Sequence, residues 1–159
     1  MSSEELKKLS LKLIEGAWPA YLTTVDRYGF PQTRAMFNLR NPDRFPKLVP
    51  FFEEYKDDFI IIFSTNTSST KIEDIKKNPK VSVYYCIPEE WQGAMFGGEI
   101  EIVDDAKVKK ALWHEGWERY YPGGYDDPDH TVLKLHPNMV RGWNQSQTFR
   151  LSIGEGQWE

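Results

Sequence analysis

The sequence has little cysteine, no long apolar run and no excess of positive charge. Cys86 is the single cysteine among 159 residues, which excludes an internal disulfide and a cysteine-based zinc site. The longest purely apolar run, residues 59–63, is far shorter than the roughly 20 residues of a membrane-spanning helix. Lys and Arg number 20 against 24 Asp and Glu, so nothing indicates nucleic-acid or membrane-surface binding.

The sequence also lacks the usual catalytic and targeting patterns. His114, His130 and His136 show no metal-ligand spacing, and no metal site is predicted. No nucleophilic triad can be assembled, so the sequence assigns no catalytic residue. The first residues form neither a basic nor an apolar targeting segment, which predicts a cytoplasmic protein. Any chemistry is therefore expected to come from a bound cofactor.

The chain is rich in aromatic residues and in strand-forming segments. Phe, Tyr and Trp make up 14% of it, and a chain of this length buries roughly 70% of its unfolded surface. Alternating and β-branched runs predict six or seven strands with short helices between them, joined mostly by hairpins. We therefore expect a mainly β, antiparallel barrel. A single domain covers residues 1–159, with a helix over 3–15 and the barrel over about 20–153.

The most informative stretch is the polar loop from Ser64 to Lys71. It leaves a strongly apolar strand and enters a predicted helix over 71–77. Hydroxyl groups, the free N–H groups of a helix start and one ammonium are the components of a phosphate site. The alternative is an ordinary helix cap by Ser68, Ser69 or Thr70, with Lys71 in solvent.

Other candidate binding residues lie in strands and at strand ends. Arg34 falls within the predicted strand 31–39, from which a guanidinium either binds phosphate or faces solvent. Trp91, Trp143 and Trp158 lie near predicted strand ends, where a tryptophan either covers a planar ring or packs as a core or interface residue.

These motifs occur together in one known family. The motifs are Thr65-Asn66-Thr67-Ser68-Ser69-Thr70-Lys71, Ile75, Asn78-Pro79 and Val81-Ser82, preceded by Gly29, Pro31 and Arg34 and followed by Gly98 and Glu101. They resemble the signature of the pyridoxamine 5'-phosphate oxidase-like FMN-binding split barrels. The later segments resemble its general stress protein branch: Leu112-Trp113, Trp117, Tyr121-Pro122-Gly123-Gly124, Asp127-Pro128 and Trp143. The similarity runs from about residue 20 to residue 143.

The resemblance implies a six-stranded antiparallel split barrel, a homodimer, and FMN bound at the subunit interface. Arg34 and Lys71 would bind the FMN phosphate. The phosphate and ribityl chain would be contacted by Ser64, Thr65, Ser69 and Thr70. The flavin would lie beside the backbone of Ala35, Met36 and Phe37. Its ring would be approached from the partner subunit by Gln92 or Trp143. The expected function is redox chemistry on a small molecule.

Three departures from the oxidase pattern argue against pyridoxamine phosphate oxidation itself. Leu39 and Thr70 stand where the oxidase has a lysine and an arginine, so two cationic ligands are missing. Arg150-Leu151-Ser152 lacks the histidine of the oxidase's Arg-Leu-His. The alternatives are a flavin-binding stress-response module without fast turnover, a binder of the deazaflavin F420 or of heme on the same fold, and a barrel without a cofactor.

Overall fold

A computed structural model describes residues 1–154 of the protein. Trp158, one of the tryptophans considered above, lies outside the described residues. Residues 1–154 contain four α-helices: α1 (Ser3–Gly16), α2 (Val49–Phe52), α3 (Thr70–Lys77) and α4 (Ala106–Ala111). Single 3₁₀ turns occur at Pro46–Leu48, Glu53–Tyr55, Pro88–Glu90, Trp117–Arg119 and Gly124–Asp126. Within the described part of the chain, no helix is long and apolar enough to cross a membrane.

Eight strands make up the rest of the described fold, and every pairing among them is antiparallel. They are β1 (Ala20–Val25), β2 (Pro31–Met36), β3 (Ile61–Asn66), β4 (Lys80–Ile87), β5 (Gln92–Val103), β6 (His130–Leu135), β7 (Met139–Asn144) and β8 (Gln147–Ser152). Six of them follow one path in the order β2-β1-β4-β5-β6-β3, and the β7–β8 hairpin pairs with β5. The mainly β, six-stranded split barrel expected from the sequence is confirmed.

The barrel is split because the path begins at β2 and ends at β3. Among residues 1–154, β2 pairs with β1 alone and β3 pairs with β6 alone, so each strand keeps one unpaired side. The long strand β5 joins the two walls, since residues 92–99 pair with β4 and residues 100–103 with β6.

Apolar side chains fill both faces of the wall that contains β3. Ile61 and Phe63 belong to the cluster inside the barrel, whereas Ile60 and Ile62 face a second cluster formed with α2, α4 and the 117–121 segment. Alternate residues of a strand point to opposite faces, so a continuous apolar run indicates burial on both sides. Residues 59–63 are therefore buried on both faces of this wall.

The second strand is shorter than predicted from the sequence. It ends at Met36 instead of Leu39, because Asn38 turns inward and is buried. Its amide donates to the carbonyls of Ile14, at 2.7 Å, and Ala17, at 2.8 Å, at the end of α1. These bonds satisfy carbonyls that the helix leaves free.

Candidate functional site

A cavity of about 290 Å³ lies where the barrel fails to close. Residues of β2, of β3, of α3 and of the 117–121 segment line it: Arg34, Ala35, Met36, Phe37, Ser64, Thr65, Asn66, Lys71, Trp117, Tyr120 and Tyr121. Seven of these residues are among those predicted in the sequence analysis to bind the cofactor. The strands β2 and β3, each unpaired on one side, therefore bring most of the residues predicted from the sequence to one place.

Lys71 holds the centre of the polar side of the cavity. Its ammonium donates to Thr65 Oγ1 at 2.7 Å and to Ser69 Oγ at 3.0 Å. Burial lowers the pKa of Lys71, and the nearby charge of Arg34 lowers it further. The ammonium therefore lies among hydroxyl acceptors and near a second cation, which is an arrangement that an anion would stabilise.

Arg34 is half-buried and lies on the same side of the cavity. Its guanidinium donates to Thr24 Oγ1 at 2.9 Å and to the Leu22 carbonyl at 3.3 Å. Burial lowers the pKa of Arg34, and the charge of Asp74 partly offsets this. Within residues 1–154, neither Arg34 nor Lys71 forms a salt bridge. Arg34 is therefore held against β1 and is partly exposed to solvent.

The start of α3 has no side-chain cap. Ser69 occupies the N-cap position, but its hydroxyl makes no capping bond. That hydroxyl donates instead to the Asn66 carbonyl at 2.7 Å and accepts from Lys71. The ordinary-cap alternative for Ser69 is therefore wrong. Thr70, the first residue of α3, is exposed and does not line the cavity.

The loop that precedes α3 is held by Asp129. The carboxylate accepts from Asn66 Nδ2 and from the Ser68 backbone N–H, both at 2.8 Å. These hydrogen bonds, that from the Asn66 side chain first, lower the pKa of Asp129. Thr67 turns away from the cavity, and its hydroxyl donates to the Pro128 carbonyl at 3.0 Å. Thr67 and the Ser68 N–H are thus engaged by the 128–131 segment.

One side of the cavity is aromatic, and its residues were not among the binding residues predicted from the sequence. Trp117, Tyr120 and Tyr121 follow α4, which ends at Ala111. Gly116, with φ of 96°, turns the chain between the helix and these three residues, whose rings line the cavity.

Tyr121 lines the cavity, and its hydroxyl makes no hydrogen bond to residues 1–154. Burial raises the pKa of Tyr121 to about 12, so the phenol stays protonated at neutral pH. Every buried side-chain N or O atom in the described part of the chain has a partner, whereas no hydrogen bond is found for this hydroxyl. The hydroxyl therefore remains accessible.

Gln92 and Trp143 do not line the cavity of their own chain. Gln92 donates to Asn144 Oδ1 and accepts from Lys12, both at 3.0 Å. Trp143 stacks on Tyr84 on the outer face of the sheet formed by β4, β5 and β7. Among the described residues, no cluster of His, Cys, Asp and Glu could hold a metal ion.

Sequence and structure comparisons agree on one family. The sequence profile of the family described as pyridoxamine 5'-phosphate oxidase matches residues 6–144. A Clostridium acetobutylicum protein, described as related to general stress protein 26 and of the pyridoxinephosphate oxidase family, is 29% identical. The similarity covers 98% of this chain and 99% of that one, with a TM-score of 0.76. No curated protein matches the chain by sequence.

Two more distant structures share the fold. General stress protein 26 from Bacillus anthracis is 23% identical over 92% of this chain and 99% of its own, with a TM-score of 0.67. A heme binding protein from Mycobacterium smegmatis is 12% identical, with a TM-score of 0.65. The match covers 96% of this chain and 58% of that protein.

Proposed function

Because the chain belongs to the pyridoxamine 5'-phosphate oxidase family, we propose that it is a flavoprotein whose cavity binds FMN. The observation that carries this proposal is the pair Arg34 and Lys71. Both are half-buried and lack a salt bridge among residues 1–154, and they lie beside the uncapped start of α3.

The donors at this end of the cavity fit a phosphate group. A phosphate monoester carries close to two negative charges near neutral pH, which two cations balance. The Thr65 hydroxyl accepts from Lys71 and keeps its own proton to donate, and the first N–H groups of α3 have no partner within the helix. Arg34, Thr65 and Lys71 would hold the phosphate, with Ser69 orienting Lys71.

The rest of the cavity fits a flat ring with polar edges. Ala35 and Met36 end β2 and Phe37 follows them, and peptide N–H and carbonyl groups on the unpaired side of β2 remain available. Trp117 and Tyr120 provide aromatic surface opposite. When bound, the flavin would supply electron transfer or hydride transfer to a small molecule.

We propose a substrate other than pyridoxamine phosphate. Leu39, at the position of an oxidase lysine, is 2% exposed and packs in the second apolar cluster, so it cannot serve as an anion ligand. Ser152 replaces the histidine of the oxidase. Slow reoxidation of the reduced flavin by every acceptor tried would favour the stress-response module without fast turnover.

A homodimer would complete the site. The cavity of one chain, about 290 Å³, is just below the range of ligand pockets, roughly 300–1,000 Å³. Phe37 and Tyr120 are 46% and 51% exposed at its rim. Gln92 and Trp143 would approach the ring from the partner subunit.

Light scattering at micromolar concentration should give twice the mass of one chain, and a monomer would contradict an interface site.

The central test is FMN retention through gel filtration, followed by titration of variants. Each charge-assisted contact is worth roughly 1.5–3 kcal/mol, so Arg34→Ala and Lys71→Ala should each weaken FMN binding by about 10- to 150-fold. The double variant should lose binding while keeping the fold. Arg27→Ala with Lys80→Ala removes the same charge from exposed positions and should bind normally. Unchanged affinity in the Arg34/Lys71 variant would refute the phosphate site.

Heme is the second candidate, favoured by the similarity to the Mycobacterium smegmatis protein. Neither histidine nor cysteine is among the residues that line the cavity, and both ring nitrogens of His130 are engaged. A Soret band after reconstitution, shifted by His114→Ala, would favour heme over flavin. F420 binding without FMN binding would favour the deazaflavin alternative.

A further inference from the structure

His130 lies behind the polar wall of the cavity and is 1% exposed. Its Nδ1 is 2.7 Å from the Tyr125 carbonyl, and its Nε2 is 3.2 Å from Ser64 Oγ. The ring of Tyr121 packs against it at 4.8 Å, and that of Trp113 at 5.5 Å. The imidazole is therefore fixed in orientation, and both of its nitrogens have a partner.

These partners determine which nitrogen carries the proton. A carbonyl oxygen only accepts, so Nδ1 must be the donor to Tyr125. Burial lowers the pKa of His130, which favours the neutral ring. Two charges act on the ring: Lys109 of α4 lowers the pKa, and Asp127 raises it. A neutral ring protonated at Nδ1 has a lone pair at Nε2, which accepts the Ser64 proton.

We propose that His130 is a positioning residue that fixes the Ser64 hydroxyl as a hydrogen-bond acceptor toward the cavity. Ser64 has one hydroxyl proton, and no other side-chain hydrogen bond of Ser64 is found among residues 1–154. Once that proton points to His130, the hydroxyl presents lone pairs alone to a ligand.

The consequence is that the cavity distinguishes ligand groups that donate a hydrogen bond from those that accept one. Ser64 binds a ligand group that donates a hydrogen bond, such as a hydroxyl of a polyol chain, and disfavours a phosphate oxygen. The anion is bound instead by hydrogen-bond donors, which are provided by Lys71, Arg34 and Thr65. The ribityl chain of FMN has such hydroxyl groups, so naming FMN here rests on the proposed function. The orientation of Ser64 does not depend on it.

The first experiment reads the tautomer directly in the ligand-free protein. Long-range ¹H–¹⁵N NMR spectra of the histidine rings should show His130 neutral and protonated at Nδ1 at pH 7. Signals are assigned by their loss in His130→Phe, or by comparison with His114→Gln and His136→Gln if that variant does not fold. A ring protonated at Nε2, or at both nitrogens, would overturn the proposal. This result is independent of flavin.

The second experiment titrates FMN and a flavin phosphate with a hydroxyl-free alkyl chain. Ser64→Ala and His130→Phe should each weaken FMN binding about two- to tenfold, the usual range for one hydrogen bond. The double variant should lose no more than either single variant, because His130 acts through Ser64. Binding of the hydroxyl-free compound should not change.

Two exposed positions provide controls, His136→Phe and Ser146→Ala. Additive losses in the double variant would show that His130 does not act through Ser64. Equal losses for both compounds would show that the variants weaken binding without regard to the ribityl hydroxyl groups. Either result would overturn the selection. If the wild-type chain binds no FMN, the proposed function fails. The tautomer alone then supports or overturns the orientation of Ser64.

Discussion

Trp143 stacks on Tyr84 with ring centroids 5.5 Å apart and an interplanar angle of 28°. Gly93 lies beneath this pair, opposite Trp143 in the register of β5 and β7. A Cβ at Gly93 would be 2.9 Å from Trp143 Cζ2 and would collide with the Tyr84 hydroxyl. The stack therefore requires glycine at this position.

Gly93→Ala should destabilise the protein by about 1–3 kcal/mol, because the added methyl group forces the two rings apart. Gly16→Ala is the matched control, since its Cβ would meet Ile87 at an ordinary 3.5 Å. Chemical denaturation compares the free energies of unfolding. Equal values for the two variants would contradict the close packing at Gly93.

Lys71→Arg should change how FMN affinity depends on pH. Burial and the charge of Arg34 lower the pKa of Lys71, so its ammonium loses the proton at a lower pH than an ordinary lysine. The affinity of the wild type should therefore fall as the pH rises through that pKa. Arginine stays charged, so Lys71→Arg should retain affinity over the same interval. Parallel pH profiles would exclude Lys71 as a charged ligand.

Asp129→Ala should loosen the loop before α3. The carboxylate accepts from Asn66 and Ser68, and its pKa is lowered, so it is charged throughout neutral pH. Faster amide hydrogen exchange at Ser68 and weaker FMN binding are expected. Asp126→Ala, an exposed change in the neighbouring turn, should alter neither. Unchanged exchange at Ser68 would refute the anchoring role.

Tyr121→Phe should separate binding from stability. The hydroxyl remains accessible and no partner is found for it among residues 1–154, so its removal leaves no protein group unpaired. The melting temperature should stay within about 1 °C, whereas FMN affinity should fall about two- to tenfold if the phenol donates to the ligand. A lowered melting temperature with normal affinity would assign the phenol a structural role.

The sequence predicted the part of the cavity around Lys71, because that part is encoded locally. Ser64, Thr65, Ser69 and Lys71 lie within eight consecutive residues, on a strand end, a loop and a helix start. Residue types typical of strand ends and helix starts indicate these boundaries in the sequence. The split-barrel fold was likewise predictable, since strand runs and turn residues alternate along the chain.

The aromatic side and His130 were not predictable in this way. Their position depends on the pairing of β3 with β6, in which Asn66 lies opposite His130 across 64 residues of chain. The left-handed turn at Gly116, which redirects the chain after α4, has no strong signal in the sequence. Tertiary pairing, not local propensity, brings these residues to the cavity.

The two unpaired strand sides at the split have a consequence for solubility. Backbone N–H and carbonyl groups along a free strand side are a template for pairing with another molecule. A ligand or a partner subunit that covers β2 and β3 would block this pairing. Protein stripped of both is therefore expected to aggregate while its far-ultraviolet circular dichroism stays unchanged. Turbidity measured with and without added FMN tests this, and equal turbidity would contradict it.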